Sequence, residues 1–227
     1  MMTLLLVLAT AAGDVPWPPP AGPLRVVIDT DAANEIDDHY ALALALGCPD
    51  RLKIEGIVAA HFGTDASVQK SFDDIQLVLK HAGLSDRIPV KKGVGPLKDR
   101  DTIPDSEGVD FILERARAGT PENPVWLVLL GAVTNAVAAL RRDPTVADRM
   151  IIFWHGRSAW PKECRNFNAR KDPIAARLVF ELPSRFVLFD TGAQIMMPTE
   201  ETARRFAPLG PLGEHLQTIR SRHPDLS

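Results

Sequence analysis

Between residues 29 and 38 the chain reads Asp-Thr-Asp-Ala-Ala-Asn-Glu-Ile-Asp-Asp. Asp29, Asp31, Glu35, Asp37 and Asp38 therefore put five carboxylates into ten residues. No Lys or Arg occurs between residues 26 and 50 to neutralise them. Carboxylates this crowded repel one another unless a cation sits among them. A hard divalent ion with oxygen ligands, Ca²⁺ or Mg²⁺, is the natural candidate. The chemistry such a site supports is hydrolysis: the metal lowers the pKa of a bound water and orients it, and a neighbouring carboxylate takes the proton. The competing reading is a solvated acidic turn in which Asn34 or Asp37 caps the next helix.

The flanks say where this stretch must sit. Leu24-Arg-Val-Val-Ile28 is β-branched and apolar, as a buried strand requires, and His39 to Leu46 suits a helix. The acidic stretch is then a strand-to-helix turn. If the strand persists that far, Asp29 and Asp31 share a face, and Asp37 and Asp38 fall in the first helical turn, where the dipole favours negative charge.

Strand-like and helix-like segments alternate along the rest of the chain. Strands are predicted at 52–60, 87–90, 124–130, 150–154 and 185–189, and helices at 67–81, 106–116, 134–140 and 172–180, with two more starting at Thr199 and Pro211. Residues 93–105 read as a loop. Asp172-Pro173 is a helix start with an N-cap and Pro at the first position. The fold class is α/β, a mostly parallel sheet flanked by helices in one Rossmann-like domain. Sites in such sheets form at the C-terminal strand ends, where Asp31, His61, Leu130 and Trp154 all fall. His61 reads equally as a hydrogen-bonded structural histidine, Trp154 and Trp160 equally as packing or base-stacking groups, and Asn135 as a helix cap.

Composition narrows the function classes. The 227 residues are 45% hydrophobic and 24% charged, with a net charge of −3 and no basic block, which argues against a nucleic-acid polymer as partner. Cys48 and Cys164 lack metal-ligand spacing, and packing suits them better than a disulfide. Leu4 to Ala12 is an apolar run too short to span a bilayer. It reads either as a signal peptide, which would make the protein secreted or periplasmic, or as a tail on a cytoplasmic protein. A Pro-rich lead-in follows, so the domains divide as 1–23 and 24–227.

Three blocks in order resemble the inosine-uridine-preferring nucleoside hydrolase family. Asp29-Thr-Asp31 with Asp37-Asp38 resembles its N-terminal signature, although five residues separate the pairs where three are usual. Leu130-Gly-Ala-Val-Thr-Asn135 is similar to a segment after a central strand, and Asn166-Phe-Asn168 with Asp172-Pro-Ile-Ala-Ala176 to a third block. The resemblance implies a Ca²⁺-dependent N-glycosyl hydrolase that splits ribonucleosides into base and ribose, as in purine and pyrimidine salvage. Asp31, Asp38 and the Leu130 carbonyl would hold the metal. Asp31 would also deprotonate the water, and Asp37 and Asn168 would bind ribose. Asn166, His61, Trp154 and His155 complete the expected substrate wall. The implied partner is a small nucleoside or N-riboside, with no membrane partner and with possible homo-oligomers.

The chain departs from that pattern in three places. Asn166 stands where the family has Glu. Trp154, His155 and Trp160 occupy a loop that is usually glycine-rich. The family's further metal-binding Asp from a C-terminal helix has no match, so the chain reads as C-terminally truncated. The alternative is a catalytically impaired relative that keeps the fold and at most weak metal or ribose binding. A phosphate-ester enzyme with an Asp-x-Asp nucleophile is a weaker third reading, because Asp73-Asp74 lies inside a helix.

Overall fold

The computed structural model describes residues 6–8, 14–16, 19–157, 166–190 and 198–221. Trp160, Cys164 and most of the apolar leader lie outside the described residues, as do His223 and Asp225. In chain order the strands are β1 (Leu6–Leu8), β2 (Leu24–Thr30), β3 (Leu52–Ala59), β4 (Val90–Lys92), β5 (Val125–Leu129), β6 (Met150–Arg157) and β7 (Arg185–Asp190). The helices are α1 (Asp37–Leu46), α2 (Asp65–His81), α3 (Glu107–Arg117), α4 (Thr134–Arg142), α5 (Phe167–Lys171), α6 (Pro173–Leu178), α7 (Thr199–Phe206) and α8 (Gly210–Ser221).

The sheet order is β1-β7-β6-β5-β2-β3-β4, with β2 to β7 parallel and only β1 antiparallel, against β7. The continuous apolar runs are what a sheet covered on both faces demands. On one face Val27, Leu127, Leu129 and Ile152 pack against Val109 and Ile112 of α3 and Ala136 and Val137 of α4. On the other, Val26, Ile28 and Ile57 pack against Leu42 of α1 and Ile75, Val78 and Leu79 of α2. The chain first winds outward from β2 through β3 to β4, then crosses to the other side of β2 and continues through β5, β6 and β7. That reversal opens a crevice at the C-terminal ends of β2 and β5. The acidic stretch and Leu130 both emerge there.

Several elements differ from the sequence expectation. The strand placed at 87–90 forms at Val90–Lys92 instead, because Pro89 has no N–H and only its carbonyl joins the sheet, accepting from Ile57 N at 2.9 Å. β2 stops at Thr30, so Asp31 lies one residue past the strand and does not inherit its face from the pleat. The short helix α5 is additional, and its N-cap is Asn166, whose side chain accepts from Ala169 N at 3.2 Å. Cys48 is a free thiol. Among the described residues no helix is long and apolar enough to cross a membrane.

Candidate active site

Asp29, the penultimate residue of β2, is completely buried. Asn135 Nδ2 donates to its Oδ2 at 2.8 Å, while its Oδ1 is buried without a hydrogen-bond partner. Burial is the main reason the Asp29 carboxyl is pushed up to about 8; the Asn135 hydrogen bond pulls it down, and Asp31 adds to the rise. Asp31 is 2% exposed and raised to about 7, mostly by burial and further by the charges of Asp37 and Glu35. Asp38, in the first turn of α1, is buried as well and raised well above the ordinary carboxylate range, first by burial and then by Asp31 and Asp37. The Thr30 hydroxyl donates to Asp38 Oδ1 and holds it toward the strand end. Glu35 and Asp37 are exposed at the mouth.

Gly131 brings the β5 backbone against this cluster: a Cβ there would stand 2.7 Å from Asp31 Oδ1. The Leu130 carbonyl accepts from Asn168 Nδ2 at 2.5 Å, and the same amide donates to the His155 carbonyl at 2.9 Å. Two carbonyls facing one group require the NH₂ end of Asn168 at that place, which turns its Oδ1 elsewhere. Asn168 thus ties the ends of β5 and β6 together beside the acidic turn.

The cluster fits a hard cation on chemical grounds. Its donors are oxygens only, and burial, with neighbouring carboxylates adding to it, raises the pKa of Asp29, Asp31 and Asp38. Among the described residues no group of three or more His, Cys, Asp or Glu side chains is placed to hold a metal. The carboxylates that stand together there are those of Asp31 and Asp38. Beyond the turn lies a cleft of about 580 Å³ between α1, α2 and α8, bordered by Asn34, His39, Asp74 and His215. His39 Nδ1 and His215 Nε2 are 2.9 Å apart, which fastens α8 to α1 behind the acidic residues.

The other expected substrate contacts have different settings. His61 is fully buried. The Gly63 N–H donates to its Nδ1 at 3.1 Å, so Nε2 carries the proton and donates to Thr134 Oγ1 at 2.7 Å. Thr134 in turn donates to Asp172 Oδ2 at 2.8 Å. His61 Nε2 and Asp172 Oδ2 are 4.0 Å apart, yet burial lowers the His61 pKa to about 4 despite Asp172, so a neutral relay through Thr134 joins them. Trp154 is 1% exposed and its indole N–H donates to the Gly131 carbonyl at 3.0 Å, supporting the β5 turn from below. His155 is half-buried against Phe189. The Asn166 carbonyl oxygen is used by the helix cap.

Two roles escape a linear reading. Asn135 does not cap α4, whose N-cap is Val133; it bridges Asp29 to the loop after β4, with its Oδ1 accepting from Val94 N at 2.8 Å. Lys171 brings a positive charge to the turn from elsewhere in the chain: it acts to lower the Asp31 carboxyl, which burial nonetheless holds up at about 7. Its ammonium lies 4.2 Å from the Phe167 ring centroid, and its stem crosses Gly63, where φ is +115° and a Cβ would stand 3.2 Å from Lys171 Cδ. The signal was faint, because Lys171 is simply three residues after Asn168 on a helix too short to show periodicity.

With this geometry in hand, comparison with known proteins is decisive. The family model for inosine-uridine preferring nucleoside hydrolase matches residues 26–224. The chain belongs to that family. It is thereby placed among hydrolases that act on nucleosides, as an N-glycosyl hydrolase by descent. The fold is shared with a plant nucleoside hydrolase, PpNRh1, at a TM-score of 0.69 and 21% identity, covering 89% of this chain and 73% of that one. A purine-preferring ribonucleoside hydrolase from Gardnerella vaginalis aligns at a TM-score of 0.68 and 20% identity, covering 89% and 75%. An inosine-guanosine nucleoside hydrolase gives 0.70 and 20%, covering 89% and 73%. No curated protein matches the chain.

Proposed function

We propose that this nucleoside hydrolase family member cleaves the N-glycosidic bond of a ribonucleoside with a water activated at the β2–β5 crevice, and that its cofactor is Ca²⁺. The observation that carries the reading is the pairing of buried Asp31 and Asp38 at the sheet's switch point, where the chain leaves β5 at the Leu130 carbonyl and Gly131 stands against Asp31. Asp31, Asp38 and that carbonyl would hold the ion. Bound there, a divalent cation supplies a water of lowered pKa and a grip on ribose oxygens.

Asp31 takes the proton of the attacking water. Asp37, exposed at the start of α1, accepts hydrogen bonds from ribose hydroxyls. Asn168, its amide occupied by two carbonyls, presents Oδ1 to a further hydroxyl. As the base departs, the sugar gains oxocarbenium character, and the negative charge of the crevice stabilises it. Asn166 offers only its amide N–H₂ to the substrate, a neutral contact where a carboxylate would be charged. His61 keeps Thr134 and the β3 loop in place beneath the pocket, and Trp154 keeps Gly131 close to Asp31.

The test is base release from inosine and uridine with added Ca²⁺. Wild-type turnover that falls by about 10³ or more in Asp31→Asn is expected, since the group removes the water's proton and holds the ion. Folded wild-type protein that binds Ca²⁺ yet releases no base from any common ribonucleoside would support the impaired relative instead.

A further inference from the structure

A cavity of about 400 Å³ opens beside β6, α5 and α6, apart from the acidic crevice. Its volume is in the range that holds a small organic molecule. Phe180, 51% exposed, Pro173 and Ala176 present its accessible apolar surface, and Trp154 and Leu188, both buried, lie beneath. Arg157, Arg170 and Arg177 border the same space.

Charge decides what such a cavity accepts. Arg170 and Arg177, both exposed, have no ion-pair partner among the described residues. The nearest carboxylates along the chain are already engaged: Asp172 accepts from Leu97 N, Thr134 Oγ1 and Ala175 N, and Glu181 pairs with Arg100. Cations in the last turns of α5 and α6 complement the helix ends. Those helices have five and six residues, however, and their dipoles do not account for an exposed aromatic ring left beside the unpaired guanidinium groups of Arg170 and Arg177. An exposed aromatic ring beside forked, uncompensated donors is the arrangement that takes a flat apolar body with an oxyanion at one end.

We propose that this cavity binds a small organic oxyanion, with an aromatic body against Phe180, Pro173 and Ala176 and a carboxylate or phosphate held by Arg170 and Arg177. The site is independent of the hydrolytic crevice and of its cation.

The experiment is calorimetric titration of the whole chain, in chelator, with phenyl phosphate and with benzoate. Phenol and inorganic phosphate serve as the partial probes. Saturable one-to-one binding of at least one aromatic anion is expected, and which anion binds tells phosphate from carboxylate recognition. Binding weakens about tenfold or more in Arg170→Gln/Arg177→Gln, as loss of charge-assisted hydrogen bonds requires. It weakens also in Phe180→Ala and is unchanged in Asp31→Asn. The proposal is overturned if neither aromatic anion saturates, if phenol or inorganic phosphate alone binds as tightly, or if the double variant binds like wild type. The variants change exposed side chains, and the wild-type titration alone can overturn the proposal if they do not fold.

Discussion

His61, Thr134 and Asp172 form one buried polar cluster at the C-terminal ends of the strands, while Asp29, Asp31 and Asp38 form another close by. In the first, each side chain has a partner: Gly63 N–H to His61, His61 to Thr134, Thr134 to Asp172, with Asp172 also receiving Leu97 N and Ala175 N. In the second, Asp29 Oδ1 has none, and burial first, with neighbouring carboxylates adding to it, pushes the pKa of all three carboxyls up. Burial is common to both, and satisfaction separates them. A closed network of neutral and charge-assisted hydrogen bonds stabilises the fold as it stands, whereas a crowded set of like charges is stable only with protons or a cation. The difference makes the first cluster framework and is the ground on which a cation site is proposed at the second.

The sharpest way to break this comparison is to remove one carboxylate from each side. Asp172→Ala leaves Leu97 N, Ala175 N and Thr134 without their acceptor and is expected to cost about 3 kcal/mol or more in urea unfolding. Asp38→Asn relieves repulsion and is expected to stabilise the cation-free protein by roughly 1 kcal/mol, an opposite sign that the same unfolding curves would reveal. Equal losses in the two variants would erase the distinction.

Cation addition should act on the second cluster alone. Ca²⁺ at about 100 times its dissociation constant adds roughly 2.7 kcal/mol to wild-type stability. The gain should vanish in Asp38→Asn and persist in His61→Gln, as thermal unfolding with and without chelator would show.

Acid sharpens the contrast from the other side. His61 is neutral in the fold with a pKa lowered from 6.5 to about 4, so the unfolded chain binds a proton there first. The stability this gives is fully present above 6.5 and is lost as the pH falls toward about 4. His61→Gln should flatten that part of the stability profile; an unchanged acid slope would mean that His61 does not carry it.

The smallest expected effect concerns Lys171. Its positive charge lowers the Asp31 carboxyl and competes with any bound cation. Lys171→Met should tighten Ca²⁺ binding severalfold, by roughly 1 kcal/mol or less through partly screened charge, in a calorimetric titration. Weaker binding would assign Lys171 a supporting role instead.

Much of this protein is decided locally. The β-branched run of Leu24 to Ile28, the acidic stretch and the apolar helix after it set the strand, turn and α1 without distant partners. The alternation that followed gave the parallel sheet, and the Asp172-Pro173 start and the Ser106 cap appear as helix termini where the residue types require them. Asp31 and Asp38 stood out in the sequence as carboxylates crowded after a buried strand, whereas Leu130 and Asn168 entered only through the family resemblance. Tertiary structure alone decided the rest, since hydrogen bonds and burial join residues that no spacing relates. Asn135 reaches Asp29 across 106 positions, Asn168 reaches the Leu130 carbonyl across 38, and His61 spends its proton on Thr134, 73 residues away. Lys171 likewise acts on the acidic turn only because the fold lays its stem across Gly63, in the loop after β3. A sequence names the groups able to do chemistry; which of them are satisfied, and which still need a ligand, depends on what the fold packs against each one.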